Sequence, residues 1–197
     1  MANDNFKANK KIEIDSNHIL FFDLDGTLVH TDYSNYLAYK KALELVNPKL
    51  DKIKYNPNKR VNRTILKEIF PQLSNSELSK IVQEKENCYD EFLLYTKINQ
   101  SVFDILQKYS VTNKCVLVTN CRKNRATSIL QFHDLTSLFN LFFFREDVEN
   151  QSNKFKNAIE KMDTPPENII VFENEEIEIK NAIKSRIKII NPTIKSK

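Results

Sequence analysis

The stretch HILFFDLDGTLVHTD, residues 18–32, decides the fold. Its first half, Ile19 to Phe22, is an unbroken apolar run of strand-forming side chains, the pattern of a strand buried on both faces. The run ends in two aspartates two positions apart, Asp23 and Asp25, followed at once by Gly26, the only glycine of the 197 residues. A strand buried on both faces belongs inside a sheet covered by helices. Its carboxylates therefore stand where that sheet meets solvent.

Downstream the period changes to that of a helix. Tyr33, Tyr36, Leu37, Leu43 and Val46 recur at spacings near three and four before Asn47-Pro48 ends the pattern. NRTILKEIF (62–70) stops before Pro71, and Ser74 with Glu77, in capping-box spacing, opens a long helix through residues 74–98. Residues 33–100 thus read as all-helical. From 101 on, helices (101–109, 122–132, 153–162, 176–185) alternate with strand-like runs (114–120, 138–144, 168–174, 187–190). Strands alternating with helices specify a parallel sheet with right-handed crossovers. The expected fold is α/β, a Rossmann-like parallel sheet flanked by helices, with an inserted all-helical segment. Its core spans 18–32 and 101–191, the insert 33–100, and polar termini 1–17 and 192–197.

Composition narrows the function classes. Thirty Lys and Arg against 26 Asp and Glu leave a net charge of only +4, spread over every segment, which argues against a nucleic-acid partner. Cys88, Cys115 and Cys121 are odd in number and form no CxxC pair, as in a reduced, intracellular protein. The opening MANDNFKANKKIEID has no apolar core of a signal peptide, and no apolar run approaches the roughly 20 residues that cross a bilayer. The expectation is a cytoplasmic protein with no membrane partner, a monomer or weak dimer.

Ligands of open parallel sheets bind beyond the carboxyl ends of the strands. Three runs deliver polar groups there: Asp23 after ILFF, Thr119 and Asn120 after CVLV, Glu173 and Asn174 after IIVF. Two carboxylates as close as Asp23 and Asp25 repel unless a cation lies between them, and a divalent ion is the economical one. Gly26 then lets the chain turn away and brings amides near an anion. Each piece has a plainer reading: Asp25-Gly26 as an ordinary turn, Thr119-Asn120 as a helix cap, Lys154 or its competitor Lys156 as a solvated side chain, and the glutamates 173, 175, 176 and 178 as residues favoured at a helix start.

FFDLDGTLVHTD resembles the first motif, DxDGT[LV], of the haloacid dehalogenase superfamily of phosphatases and phosphomutases. In order along the chain, VLVTN resembles the second motif, Lys154 in NKFKNAIEKM the third, and IIVFENEEIEIKNAIKS the fourth; the likeness covers residues 18–191. The resemblance implies Asp23 as nucleophile and Asp25 as the acid and base. It implies Thr119, Asn120, Lys154 and Gly26 around the phosphate, and Mg2+ held by Asp23, Asp25 (through its main-chain carbonyl) and Asn174, with Glu173 or Glu178 as further candidates. It also implies a small phosphorylated metabolite as substrate, and a helical cap after motif one with hinges near Thr31–Tyr33 and Asn99–Ser101. Asn174 departs from the pattern, where relatives carry a metal-binding aspartate, and Arg186 stands near a glycine position. A relative that binds a phospho-ligand or protein partner with little turnover, and a phosphomutase, stand as alternatives.

Overall fold

Strand β1 (Ile19–Phe22) lies at the centre of a five-stranded sheet. It pairs in parallel with β4 (Cys115–Val118) on one side and β6 (Ile169–Phe172) on the other. Outside these lie β5 (Leu141–Phe143) and β7 (Lys188–Ile190), also parallel, giving the order β5-β4-β1-β6-β7. The structure is a computed structural model that describes residues 13–50, 53–148 and 153–190. Of the expected polar termini, residues 1–12 and 192–197 lie outside the described residues.

Alternation along β1 supplies both faces of the core. Leu20 and Phe22 point to one face, where Val102 and Leu106 of α4 (Gln100–Tyr109) and Ala126, Ile129 and Leu130 of α5 (Lys123–Phe132) cover them. Phe21 points to the other, against Phe155 and Ala158 of α6 (Lys154–Met162) and Ala182 of α7 (Glu176–Lys184). Phe22 also stacks on Phe172, with ring centroids 4.6 Å apart. Each of these buried rings contributes about 1.5–3 kcal/mol of transfer free energy, enough to make the register of the central strands unambiguous. Phe22 stands opposite Leu117 and Phe172, so Asp23, Thr119 and Glu173 leave the sheet at one edge.

The segment between β1 and α4 holds α1 (Asp32–Val46), α2 (Arg63–Ile69) and α3 (Asn75–Cys88), which share a separate apolar cluster around Ala42, Leu43, Leu66 and Ile81. The capping box of Ser74 and Glu77 starts α3 as its sequence spacing requires. The expected helix through residue 98 does not run that far. It gives way at Tyr89 to a 3-10 stretch, Tyr89–Tyr95. The tighter winding aligns residues three apart. It turns Tyr89 and Phe92 from the insert's own cluster onto the one beneath the sheet. A two-residue strand β3 (Lys97–Ile98) follows and pairs antiparallel with β2 (Val29–His30), tying together the two chain crossings between insert and core. Strands of two residues leave no periodicity to read, and the sequence pattern missed both.

Candidate active site

Where β1 ends, the chain turns at Gly26, whose φ of 82° lies in the left-handed region that glycine adopts without strain. A Cβ there would stand 2.8 Å from Asn174 Nδ2, so the position also needs a residue without a side chain. The Gly26 amide donates to Val29 O at 2.8 Å. It is therefore spent inside the turn rather than offered to an anion, and Gly26 does not line the cavity described next, a correction to the sequence expectation.

Asp23, Asp25, Thr119, Asn120 and Lys154 all line one cavity of about 350 Å³, walled on its far side by residues of the helical insert. Lys154 is the first residue of α6. The side chain of Asn153 accepts from the amides of Phe155 and Lys156 and so fixes where that helix begins. This aims Lys154 Nζ at Asp23 Oδ1 (2.7 Å) and Glu173 Oε2 (2.8 Å), all three groups being buried. Lys156, the competitor, faces solvent and pairs with Glu160. One lysine between two buried carboxylates leaves a negative charge uncompensated. Burial and then the charge of Glu173 push the Asp23 carboxyl up to about 7 against the pull of Lys154.

Asp25 has the opposite environment. Thr31 Oγ donates to it at 2.6 Å, although Thr31 occupies the N-cap of α1 and caps nothing with its side chain. Arg125 Nη1 reaches both carboxylate oxygens at 3.2 and 3.1 Å, and Arg60 Nη2 reaches Oδ1 at 3.1 Å. Burial would raise this carboxyl, but Arg125, Arg60 and the Thr31 hydroxyl overrule it and hold the group ionised, well below the usual carboxylate range.

Thr119 Oγ accepts from the Cys121 amide at 3.1 Å, which leaves its own proton to donate. The Asn120 side chain turns to Glu178 (3.1 Å), while its backbone amide has no protein acceptor among the described residues. Of the fourth-motif residues, Glu173 is used up by Lys154 and by the amides of Asn174 and Glu175. Glu178 sits on Asn120 outside the cavity lining. Asn174 Oδ1 accepts from Thr27 Oγ at 2.8 Å and lies behind the lining. The carboxylate that does enter the cavity from this segment is Glu175, paired with Arg60 at 3.2 Å.

A divalent cation fits the Asp23 end. The Asp23 and Glu175 carboxylates are hard oxygen donors that enter this cavity, Arg60 Nη1 lies 3.2 Å from Glu175 and 3.5 Å from the Asp25 carbonyl, and the single lysine between Asp23 and Glu173 leaves a negative charge that favours a cation. No cluster of three His, Cys, Asp or Glu side chains forms a ready-made metal site among the described residues.

Sequence reasoning missed Arg60, Lys85, Glu86 and Arg125. Thirty basic residues bury any single one in background. One signal was available: Arg122, Lys123 and Arg125 crowd the first turn of α5, where the helix dipole disfavours cations and an acidic residue is expected.

The family model of haloacid dehalogenase-like hydrolases matches residues 20–191. No curated protein matches the chain. Among solved structures, a predicted phosphoglycolate phosphatase of Haemophilus somnus superposes with a TM-score of 0.73 at 19% identity, over 90% of this chain and 85% of that one. CbbY of Rhodobacter sphaeroides, crystallised with phosphate, gives 0.70 at 13% identity over 91% and 89%. A β-phosphoglucomutase of Clostridium difficile gives 0.67 at 17% over 91% and 93%. At these identities the likeness is one of fold. No described helix is long and apolar enough to cross a membrane.

Proposed function

We infer, from the premise that the chain belongs to the haloacid dehalogenase-like hydrolase family, that it is a Mg2+-dependent phosphatase of a small phosphomonoester. One observation carries the reading. Asp23 and Asp25 leave the central strand into a single cavity with Thr119 and Lys154, yet the two carboxylates sit in opposite electrostatic environments. Two acidic groups held apart in this way can take two different roles.

In the first half-reaction the Asp23 oxygen not engaged by Lys154 attacks phosphorus. An aspartyl-phosphate bond forms, the ester P–O bond breaks, and the leaving oxygen takes its proton from Asp25. In the second, water attacks phosphorus, its proton passes to Asp25, and the Asp23–phosphorus bond breaks to release orthophosphate. The Thr119 hydroxyl, the Asn120 amide and Lys154 hold the phosphoryl oxygens, and Lys154 meets the charge that grows on them. Asp23, the Asp25 carbonyl and Glu175 or Asn174 would hold Mg2+, which would supply charge neutralisation at the phosphoryl oxygens. Asp25 is ionised between Arg60 and Arg125; once those guanidinium groups withdraw it takes up a proton from water, gives it to the leaving oxygen in the first step and, ionised again, accepts one from the attacking water in the second. The insert acts as a cap that closes over the strand ends and excludes water during transfer.

The test is orthophosphate release from a panel of aryl, sugar and nucleoside monophosphates, with and without Mg2+. Wild-type protein should turn over at least one of them, and Asp23→Asn should reduce that turnover by at least 10³-fold. Near-normal turnover by Asp23→Asn would refute the nucleophile. A silent panel would favour a phospho-ligand-binding protein, and phosphoryl transfer to a sugar phosphate in place of water would identify a mutase.

A further inference from the structure

Arg60, in the loop before α2, lines the cavity from the insert side and spreads its guanidinium over three acidic residues. Nη2 reaches Asp25 Oδ1 at 3.1 Å. Nη1 donates to Glu175 Oε1 at 3.2 Å and also lies 3.5 Å from the Asp25 main-chain carbonyl. Nε stands 3.6 Å from Asp32, the first residue of α1. The backbone beside Arg60 is fixed to the insert. Val61 is buried in the insert's own apolar cluster, and its carbonyl accepts from Asn35 Nδ2 of α1 at 2.6 Å. Arg60 therefore fastens the insert to the chain leaving β1 and to the chain leaving β6.

Two of these contacts fall on groups with a second claimant. The Asp25 carbonyl and the Glu175 carboxylate are among the oxygens that would hold Mg2+ beside Asp23. Each such oxygen has more than one lone pair, so the conflict is one of charge rather than valence. Mg2+ takes its oxygens at about 2.0–2.1 Å, which sets it against a guanidinium whose Nη1 is 3.2 and 3.5 Å from the same two groups. Two cations that close in a partly buried site repel each other. A lysine in this place could lose its proton, but an arginine keeps its charge at any physiological pH. Arg60 can yield only by moving, and Asp32 is the partner left to it inside the insert.

We propose that Arg60 and the divalent cation exclude each other from Glu175 and the Asp25 carbonyl, so that loading the metal releases the hold of Arg60 on the sheet edge. This rests on the metal reading above and deepens it. By linkage the effect is reciprocal: Arg60 weakens metal binding by the factor by which the metal weakens the Arg60 contact. The exchange also removes one of the two guanidinium groups that keep Asp25 ionised, as its acid role requires. Arg125 does not compete in the same way. Its bonds go to the Asp25 and Glu86 carboxylates, away from the Asp25 carbonyl and Glu175.

The experiment uses the full chain without substrate, titrated with MgCl2 at constant ionic strength so that screening does not change. Calorimetry should give Arg60→Gln a Kd for Mg2+ about tenfold or more below that of the wild type. Arg63→Gln and Arg145→Gln each remove a charge from the lining of the same cavity and leave the Arg60–Glu175 pair in place. They should change that Kd by less than about threefold, which separates direct competition from a general loss of positive charge. In the wild type, saturating Mg2+ should speed amide hydrogen exchange in residues 60–73 by about tenfold or more, with α6 unchanged. In Arg60→Ala it should add nothing, because the contact is already gone. Equal or weaker Mg2+ binding by Arg60→Gln, or wild-type exchange that bound Mg2+ leaves unchanged, overturns the proposal while the metal reading stands. Absence of Mg2+ binding in all of these proteins overturns both. If Mg2+ binding tightens and exchange quickens but no monoester is hydrolysed, the phosphatase reading fails and the competition stands.

Discussion

Arg186 is held at φ 62°, in the left-handed region, just past the end of α7. Its amide donates to Ile183 O and that of Ile187 to Ala182 O, so the backbone closes the helix in the way a glycine at this position does. A non-glycine residue there costs roughly 1–2 kcal/mol, and a glycine gives back about 0.5–1 kcal/mol of that through its freer unfolded chain. Arg186→Gly should therefore stabilise the fold by about 0.5–1 kcal/mol and raise Tm by roughly 1–4 °C, read in a thermal melt. A lower Tm would mean that the arginine side chain makes contacts worth more than the strain. The absence of a glycine near this place was visible in the sequence; that the backbone keeps the glycine conformation was not, because φ is set by the chain leaving α7 for β7. The choice between Lys154 and Lys156 was equally closed to sequence. It depends on Asn153 as the helix cap, which turns the lysine one residue along to the sheet and the lysine three residues along to the solvent.

At the scale of elements, two arginines join the helical insert to the sheet edge through Asp25. Arg60, in the loop before α2, reaches Asp25, Glu175 and Asp32 on the core side at 3.1, 3.2 and 3.6 Å. Arg125 works in the other direction, from α5 of the core to Glu86 of α3. Charged hydrogen bonds of this kind contribute about 1.5–3 kcal/mol each. Removing one should loosen the insert without unfolding the sheet, whose central strands are held by separate apolar clusters. Arg60→Ala should speed amide hydrogen exchange in residues 60–73 by about tenfold or more, with α6 unchanged. Equal exchange in both proteins would show that apolar packing alone fixes the insert. Helical periodicity made this insert legible as helices. Its attachment was not legible, since the β2–β3 ribbon is too short to show a period and an ion pair between residues 60 and 25 leaves no local pattern.

Across the whole molecule, the cavity is polarised: negative where Asp23 and Glu173 share Lys154, positive where the insert and α5 bring in their arginines. The order of the strand ends along the chain was readable because a parallel sheet gathers every strand's carboxyl end at one edge. The positive half was not readable, because it is assembled from three separate segments, around residues 60, 85 and 125. This polarity bears on Asn174. Its amide oxygen accepts from Thr27 Oγ, a bond that a carboxylate oxygen would accept as well, so Asn174→Asp keeps that contact and adds a charge at the negative end. The added charge sits against the Gly26 turn. A full charge near a divalent ion, at an effective dielectric of about 20, is worth a few kcal/mol. Asn174→Asp should thus lower the Mg2+ concentration for half-saturation at least tenfold, in calorimetric binding and in turnover alike, with a Tm in chelator within about 2 °C of wild type. Glu175→Gln should shift Mg2+ affinity the other way, because Glu175 is the carboxylate from this segment that enters the cavity. If neither substitution moves the Mg2+ titration, the ion is held without the segment after β6, and the wild-type asparagine costs the protein nothing in metal affinity.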